Sequence, residues 1–207
     1  MITRVSAIAA CVLVVLGLGI SAFLVMQRAN ADPFADCRRG QVAGGAASIG
    51  GPFKLESAAG TEVSEADVIK GPTLVYFGYS FCPDICPTDL SRNSVAAADL
   101  ADQGVKISQV FVSIDPDRDT PEVVGDFTKQ IDPAIIGLTG TPDEIAAAAK
   151  AYKVFYRKAG DDPQYYLMDH STFTYLVAPK TGFLEFYTSD TSPEDVASSV
   201  SCFARKL

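Results

Sequence analysis

Thr73-Leu74-Val75-Tyr76-Phe77-Gly78-Tyr79-Ser80-Phe81-Cys82-Pro83-Asp84-Ile85-Cys86-Pro87 holds, in one stretch, a strand, a turn and the start of a helix. Its first seven residues are a β-branched, aliphatic and aromatic run, the pattern of a strand buried on both faces. Two cysteines four apart follow, each with a proline after it, and the helical segment they open ends near Gly104. Proline is tolerated there because the first turn of a helix leaves its N–H groups unused in any case. Downstream, Val105–Ile114 alternates as a second strand, and Asp119-Thr120-Pro121-Glu122 opens a helix running to Gln130. Ile135–Leu138 reads as a short strand, and Thr141-Pro142-Asp143-Glu144 opens a helix to about Lys153. Phe155–Lys158 and Tyr165–Met168 read as strands around a polar turn, and Phe173–Ala178 with Phe183–Tyr187 as a hairpin. Ser192-Pro193 starts a last helix. Upstream lie a small hairpin around Phe53–Thr61 and a short helix at Ser64–Val68. The order predicts an α/β thioredoxin-like layer sandwich.

The chain has 207 residues, 48% of them hydrophobic, and the apolar residues are densest in the uncharged residues 5–26, VSAIAACVLVVLGLGISAFLVM. A helix over this span rises about 33 Å, enough to cross the hydrocarbon core of a bilayer. A cleaved signal peptide is the competing reading, because Ala29-Asn30-Ala31 forms an A-x-A site, although signal-peptide apolar regions are shorter. The organisation expected is a short cytoplasmic N-terminus (1–4), a transmembrane anchor (5–26), a linker (27–49) and an exported domain (50–207). Both readings place the folded part outside the cytoplasm, in the periplasm if the source is bacterial, where disulfides persist. Seventeen basic against 25 acidic residues give a net charge of −8, which argues against a nucleic-acid partner.

The chemistry rests on five cysteines and one histidine. Cys82 and Cys86 sit at a helix start, where the positive end of the helix dipole favours thiolate over thiol. Four-residue spacing on a helix places both on one face. Two soft thiolates suit Cu(I) or Zn(II), and they can also close to a disulfide. His170, in Tyr166-Leu167-Met168-Asp169-His170-Ser171, is placed at the start of the strand Phe173–Ala178, beside the strand that feeds the cysteines. Two thiolates and an imidazole make a three-coordinate Cu(I) site, and an added water or carboxylate would suit Cu(II). Asp169 is the candidate to orient the imidazole from behind. Asp115-Pro116-Asp117-Arg118-Asp119 reads as a cap and turn rather than as a metal carboxylate or acidic docking surface. Cys37 and Cys202 are expected to form a structural disulfide, and Cys11 is a small residue within the apolar run.

Three motifs in order, Gly78–Pro87, Ser113-Ile114-Asp115-Pro116-Asp117-Arg118-Asp119-Thr120-Pro121 and Asp169-His170-Ser171, resemble the Sco/SenC family over about Gly51–Phe203. The resemblance implies a membrane-anchored, thioredoxin-like protein that binds copper, as Cu(I) or Cu(II), through Cys82, Cys86 and His170. It also implies a part in building the binuclear copper centre of cytochrome c oxidase subunit II. Two functions follow: a metallochaperone, or a thiol-disulfide oxidoreductase using Cys82 and Cys86 as a redox dithiol on the partner's cysteines. An upstream copper donor and an external thiol reductant are the further partners expected. A peroxiredoxin-like peroxidase is disfavoured, because the second thiol would capture the first.

Overall fold

The computed structural model describes residues 16–21, 32–40, 45, 48–160, 162 and 165–207. A central sheet of seven strands is built from β1 (Lys54–Ser57), β2 (Glu62–Ser64), β3 (Thr73–Gly78), β4 (Ser108–Ser113), β5 (Ile135–Thr139), β8 (Thr174–Ala178) and β9 (Gly182–Tyr187). Its order is β2-β1-β5-β4-β3-β8-β9. β3, β4 and β5 run parallel, while β8 and β9 are antiparallel. All six residues of β3 are buried, as the apolar run requires of a central strand covered on both faces. A separate two-stranded sheet pairs β6 (Tyr156–Ala159) with β7 (Leu167–His170).

Five helices join these strands: α1 (Glu65–Val68), α2 (Ile85–Asp102), α3 (Pro121–Ile131), α4 (Pro142–Ala151) and α5 (Pro193–Ala204). Thr120, Thr141 and Ser192 cap α3, α4 and α5, each accepting a backbone amide through its hydroxyl, with proline following in the first turn. Tyr76, Phe111 and Gly137 share one face of the sheet by register. A methyl at Gly137 would lie 2.7 Å from Val124, so the glycine lets α3 approach β5 closely. On the opposite face Phe77, Tyr152 and Tyr175 form an aromatic cluster with ring centroids 5.2–6.2 Å apart. Helix α2 is fixed to the sheet by buried polar groups. Arg92 donates to the Thr174 hydroxyl at 2.8 Å and to the Thr188 carbonyl at 2.6 Å, and Asn93 also donates to Thr174.

The expected anchor lies mostly outside the described residues, and one expectation shifts. Of the span 5–26 only residues 16–21 are described, and they are helical; the remainder, Cys11 included, lies outside the described residues. Among the described residues no helix is long and apolar enough to cross a membrane. Part of the expected linker is also held on the domain, since the second of two compact units runs from Cys37 to Leu207. Cys37 is joined to Cys202, Cα–Cα 5.7 Å, and Arg38 donates to the Leu184 carbonyl. The buried Glu185 carboxylate accepts the amides of Arg39 at 2.7 Å and Gly40 at 3.2 Å, and Arg39 pairs with Asp195.

The disulfide closes a loop of 165 residues, so replacing both cysteines (Cys37→Ser with Cys202→Ser) should cost about 3–5 kcal/mol through the freed unfolded chain. Urea denaturation of the pair with Cys82 and Cys86 kept reduced measures this. An unchanged midpoint would show that the cross-link contributes nothing to stability.

Candidate metal and dithiol site

The site forms at the C-terminal ends of the parallel strands, where loops of an α/β sheet leave a crevice. β3 stops at Gly78, and Tyr79–Asp84 lead to α2, whose first residue is Ile85. The helix start therefore differs from the simple reading of four-residue spacing. Cys86 lies in the first turn, whereas Cys82 precedes the cap residue Asp84 and folds back over the helix end. The Asp84 side chain makes no capping bond, and the Cys86 amide instead donates to the Cys82 sulfur at 3.3 Å. Pro87 has no amide to satisfy, which leaves the first turn with one fewer orphan donor.

Cys86 is wholly buried and Cys82 is 8% exposed, and both are free thiols. Their acidities are pulled apart. The neighbouring Cys86 side chain, then His170 and the amides of Cys86 and Asp84, hold Cys82 well below the usual thiol range against the opposing effect of burial. Burial above all, and then the adjacent Cys82 sulfur, push Cys86 up. Gly78 makes room for the inner sulfur: a methyl there would lie 2.8 Å from Cys86 Sγ and 2.9 Å from the Tyr76 ring.

His170 is the last residue of β7, not the first of the strand that follows, and it pairs with Tyr156 of β6. The alternation Tyr166, Met168, His170 continues through the histidine: the first two are buried, while Leu167 and Asp169 between them are exposed. Asp169 therefore points away from the ring and pairs with Arg157 at 2.8 Å, directly across the two strands. The role assigned to it falls to a main-chain group. His170 Nδ1 lies 2.9 Å from the Ser171 carbonyl, which can only accept, so Nδ1 is the donor there and Nε2 is the ring atom turned to the thiols. That Nε2 lies 3.5 Å from Cys86 Sγ. The ligating atoms of Cys82, Cys86 and His170 all lie within 4.8 Å of one another. Two sulfurs and an imidazole form a soft donor set, suited to Cu(I) or Zn(II).

Sequence reasoning read Asp119 as part of a cap. Thr120 caps α3, and Asp119 is buried and serves the thiol loop. It accepts the Ser80 amide at 3.0 Å and the Ser113 hydroxyl at 2.5 Å, and the Ser80 hydroxyl as well. Burial raises its pKa, and these donors oppose the rise. Arg118 pairs with Asp115 at 2.6 Å and lies over the rings of Tyr166 (3.6 Å) and Phe81 (4.7 Å). The signal was present in the motif's position at a strand end. Nothing in its composition separated capping from cross-loop bonding.

A sequence profile described as SCO1/SenC matches residues 41–205. Protein SenC of Rhodobacter capsulatus is 50% identical over 207 residues, covering 99% of this chain and 92% of its own length. The mitochondrial SCO1 homolog 1 of Arabidopsis thaliana is 42% identical over 144 residues, covering 69% of this chain, which spans less than half (43%) of that protein. Among solved structures, Arabidopsis thaliana ScoI with copper bound superposes with a TM-score of 0.72 at 37% identity, covering 76% of this chain and 99% of that one.

Two outcomes follow from the geometry. In the reduced, metal-free protein at neutral pH, iodoacetamide should modify Cys82 more than roughly tenfold faster than Cys86, since the thiolate is the nucleophile. Peptide mapping of the singly modified product reads this directly, and equal labelling would overturn the assignment. Gly78→Ala should cost about 1–3 kcal/mol by overpacking and weaken retention of a thiophilic metal ion. Unchanged denaturation and unchanged metal retention would show that the inner sulfur does not need the vacant volume.

Proposed function

The chain belongs to the SCO1/SenC family, and from that premise we propose that it binds copper through Cys82, Cys86 and His170 in the assembly of cytochrome c oxidase. The observation that carries this reading is the convergence of two free thiols and an imidazole nitrogen within 4.8 Å. Copper takes both sulfurs as thiolates, so loading displaces the proton that burial holds on Cys86, which makes affinity rise with pH. In the finer form of the proposal, copper is handed to the binuclear centre of subunit II by stepwise exchange of donors. The protein is held at the membrane by residues 5–26 with its domain outside the cytoplasm. An upstream copper donor loads it, and an external reductant keeps the dithiol open, since a Cys82–Cys86 disulfide has no thiolates to offer.

The unequal thiols favour a second use of the same pair. Cys82, more accessible and more acidic, suits attack on a partner disulfide. Cys86, with its proton removed, would then resolve the mixed disulfide. The partner leaves with two thiols and the Cys82–Cys86 pair as a disulfide, so the electrons balance. His170 separates the two uses. His170→Ala should weaken Cu(I) binding by more than the roughly 10–100-fold lost when only an outer partner of a ligand is removed, while exchange with a small disulfide proceeds nearly unchanged. Competition with a Cu(I) chelator and stopped-flow exchange with a disulfide reagent measure the two. Copper affinity equal to that of the parent chain would end the three-donor site.

A further inference from the structure

A cavity of about 590 Å³ opens where the connection from α1 to β3 meets the β8–β9 turn. Thr73 at the start of β3 pairs with Val177, so this cavity lies at the opposite end of β3 from the thiols. Its volume falls in the range of small-molecule sites. The walls are apolar: Tyr152, Val177, Ala178 and Phe183 line it, and each is less than 5% exposed.

The polar groups at this cavity are few and mostly donors. Lys70 and Lys180 line it and are exposed, and neither has a carboxylate within ion-pair distance among the described residues. The Lys70 ammonium donates to the Ala66 carbonyl at 2.6 Å, which leaves further N–H donors unused. Glu65 is the one acid of the lining, and its Oε2 accepts the Phe53 amide at 3.1 Å. Tyr152 is 1% exposed, and no hydrogen bond of its hydroxyl is found among the described residues. In a chain of net charge −8, two ammonium groups and the Tyr152 hydroxyl around an apolar chamber reverse the local balance.

We propose that this cavity binds an amphiphilic carboxylate, with an alkyl chain against the apolar walls and the anionic head among Lys70, Lys180 and the Tyr152 hydroxyl. The alkyl body suits walls that offer no row of hydrogen-bonding groups to read a peptide or a sugar. The anionic head suits donors that outnumber the single, already engaged carboxylate. The site is separate from the thiols and does not rest on their copper chemistry.

The test uses the full chain in bicelles with a dodecanoate that carries a diazirine near its methyl end, and mass-spectrometric mapping of the photolabel. Label is expected within residues 65–70 and 177–183. It should fall roughly three- to tenfold in the pair Lys70→Gln with Lys180→Gln, each lysine contributing what an exposed ion pair contributes. Ala66→Phe, a substitution at an exposed lining position, should remove it by filling the entrance. Near-UV circular dichroism and loading of Cys82, Cys86 and His170 with Cu(I) should match the parent in all variants. Equal labelling by the matching dodecylammonium probe would overturn the proposal. So would label confined to residues 5–26, or label indifferent to both sets of substitutions.

Discussion

The three donor atoms come from two pieces of chain that do not share a sheet, and one turn, Asp115–Asp119, holds both pieces. On one side Asp119 takes the Ser80 amide and hydroxyl and so fixes the loop that carries Cys82. On the other, Asp115 accepts the Tyr166 hydroxyl at 2.6 Å, Arg118 donates to the Tyr166 carbonyl at 3.0 Å, and Asp117 pairs with Lys158 at 2.5 Å. Those contacts fasten the β6–β7 hairpin that ends in His170. The turn is itself set by β4, since the Asp119 amide donates to the Asp115 carbonyl at 2.9 Å just beyond the strand. The Asp119 carbonyl also accepts the Thr139 hydroxyl on β5 at 2.7 Å. Removing this turn would leave thiols and imidazole each on a sound local structure with nothing to keep them in register.

Such a hub is polar and buried, and this combination is costly unless every group is satisfied. Asp119 meets that condition with three donors, and Asp115 with an arginine and a tyrosine. Among the described residues Arg118 Nη2 has no hydrogen bond, but its plane rests on aromatic rings, which stabilise a guanidinium while it is partly desolvated. The exposed Arg157–Asp169 and Lys158–Asp117 pairs add little energy by themselves. Their contribution is alignment, because the first ties the two strands of the hairpin together and the second ties the hairpin to the turn.

Much of this was legible from residues alone where one physical rule dominated. Thr73–Gly78 could only be a central strand, the three proline-marked caps fell where expected, and the family resemblance rested on the same motifs that now line the site. His170 shows where local reading fails. Its strand was placed two residues early and the histidine assigned to the next one, although Tyr166-Leu167-Met168-Asp169-His170 alternates throughout. Period-two alternation names the face a residue occupies without saying where pairing ends. Here the end is set by the cross-strand pairing of Tyr156 with His170. Asp169 failed for the same reason: neighbours in a strand point to opposite faces. The Asp115–Asp119 hub was missed because capping and cross-loop bonding use the same residue types, and only the tertiary partners Ser80 and Tyr166 distinguish them.

The difference between the two thiols follows from this construction. A helix start offers its free amides to whatever acceptor reaches them. Asp84 does not use the position, so the Cys82 sulfur becomes the acceptor and gains a reason to ionise. Cys86, buried in the first turn, faces Tyr76 and Gly78, and burial opposes its ionisation. Ionising both in the absence of metal would place two negative sulfurs side by side in a buried site. A bound cation removes that conflict, and a disulfide removes it by another route. The free pair avoids it as well, by keeping the proton on Cys86 while Cys82 carries the charge.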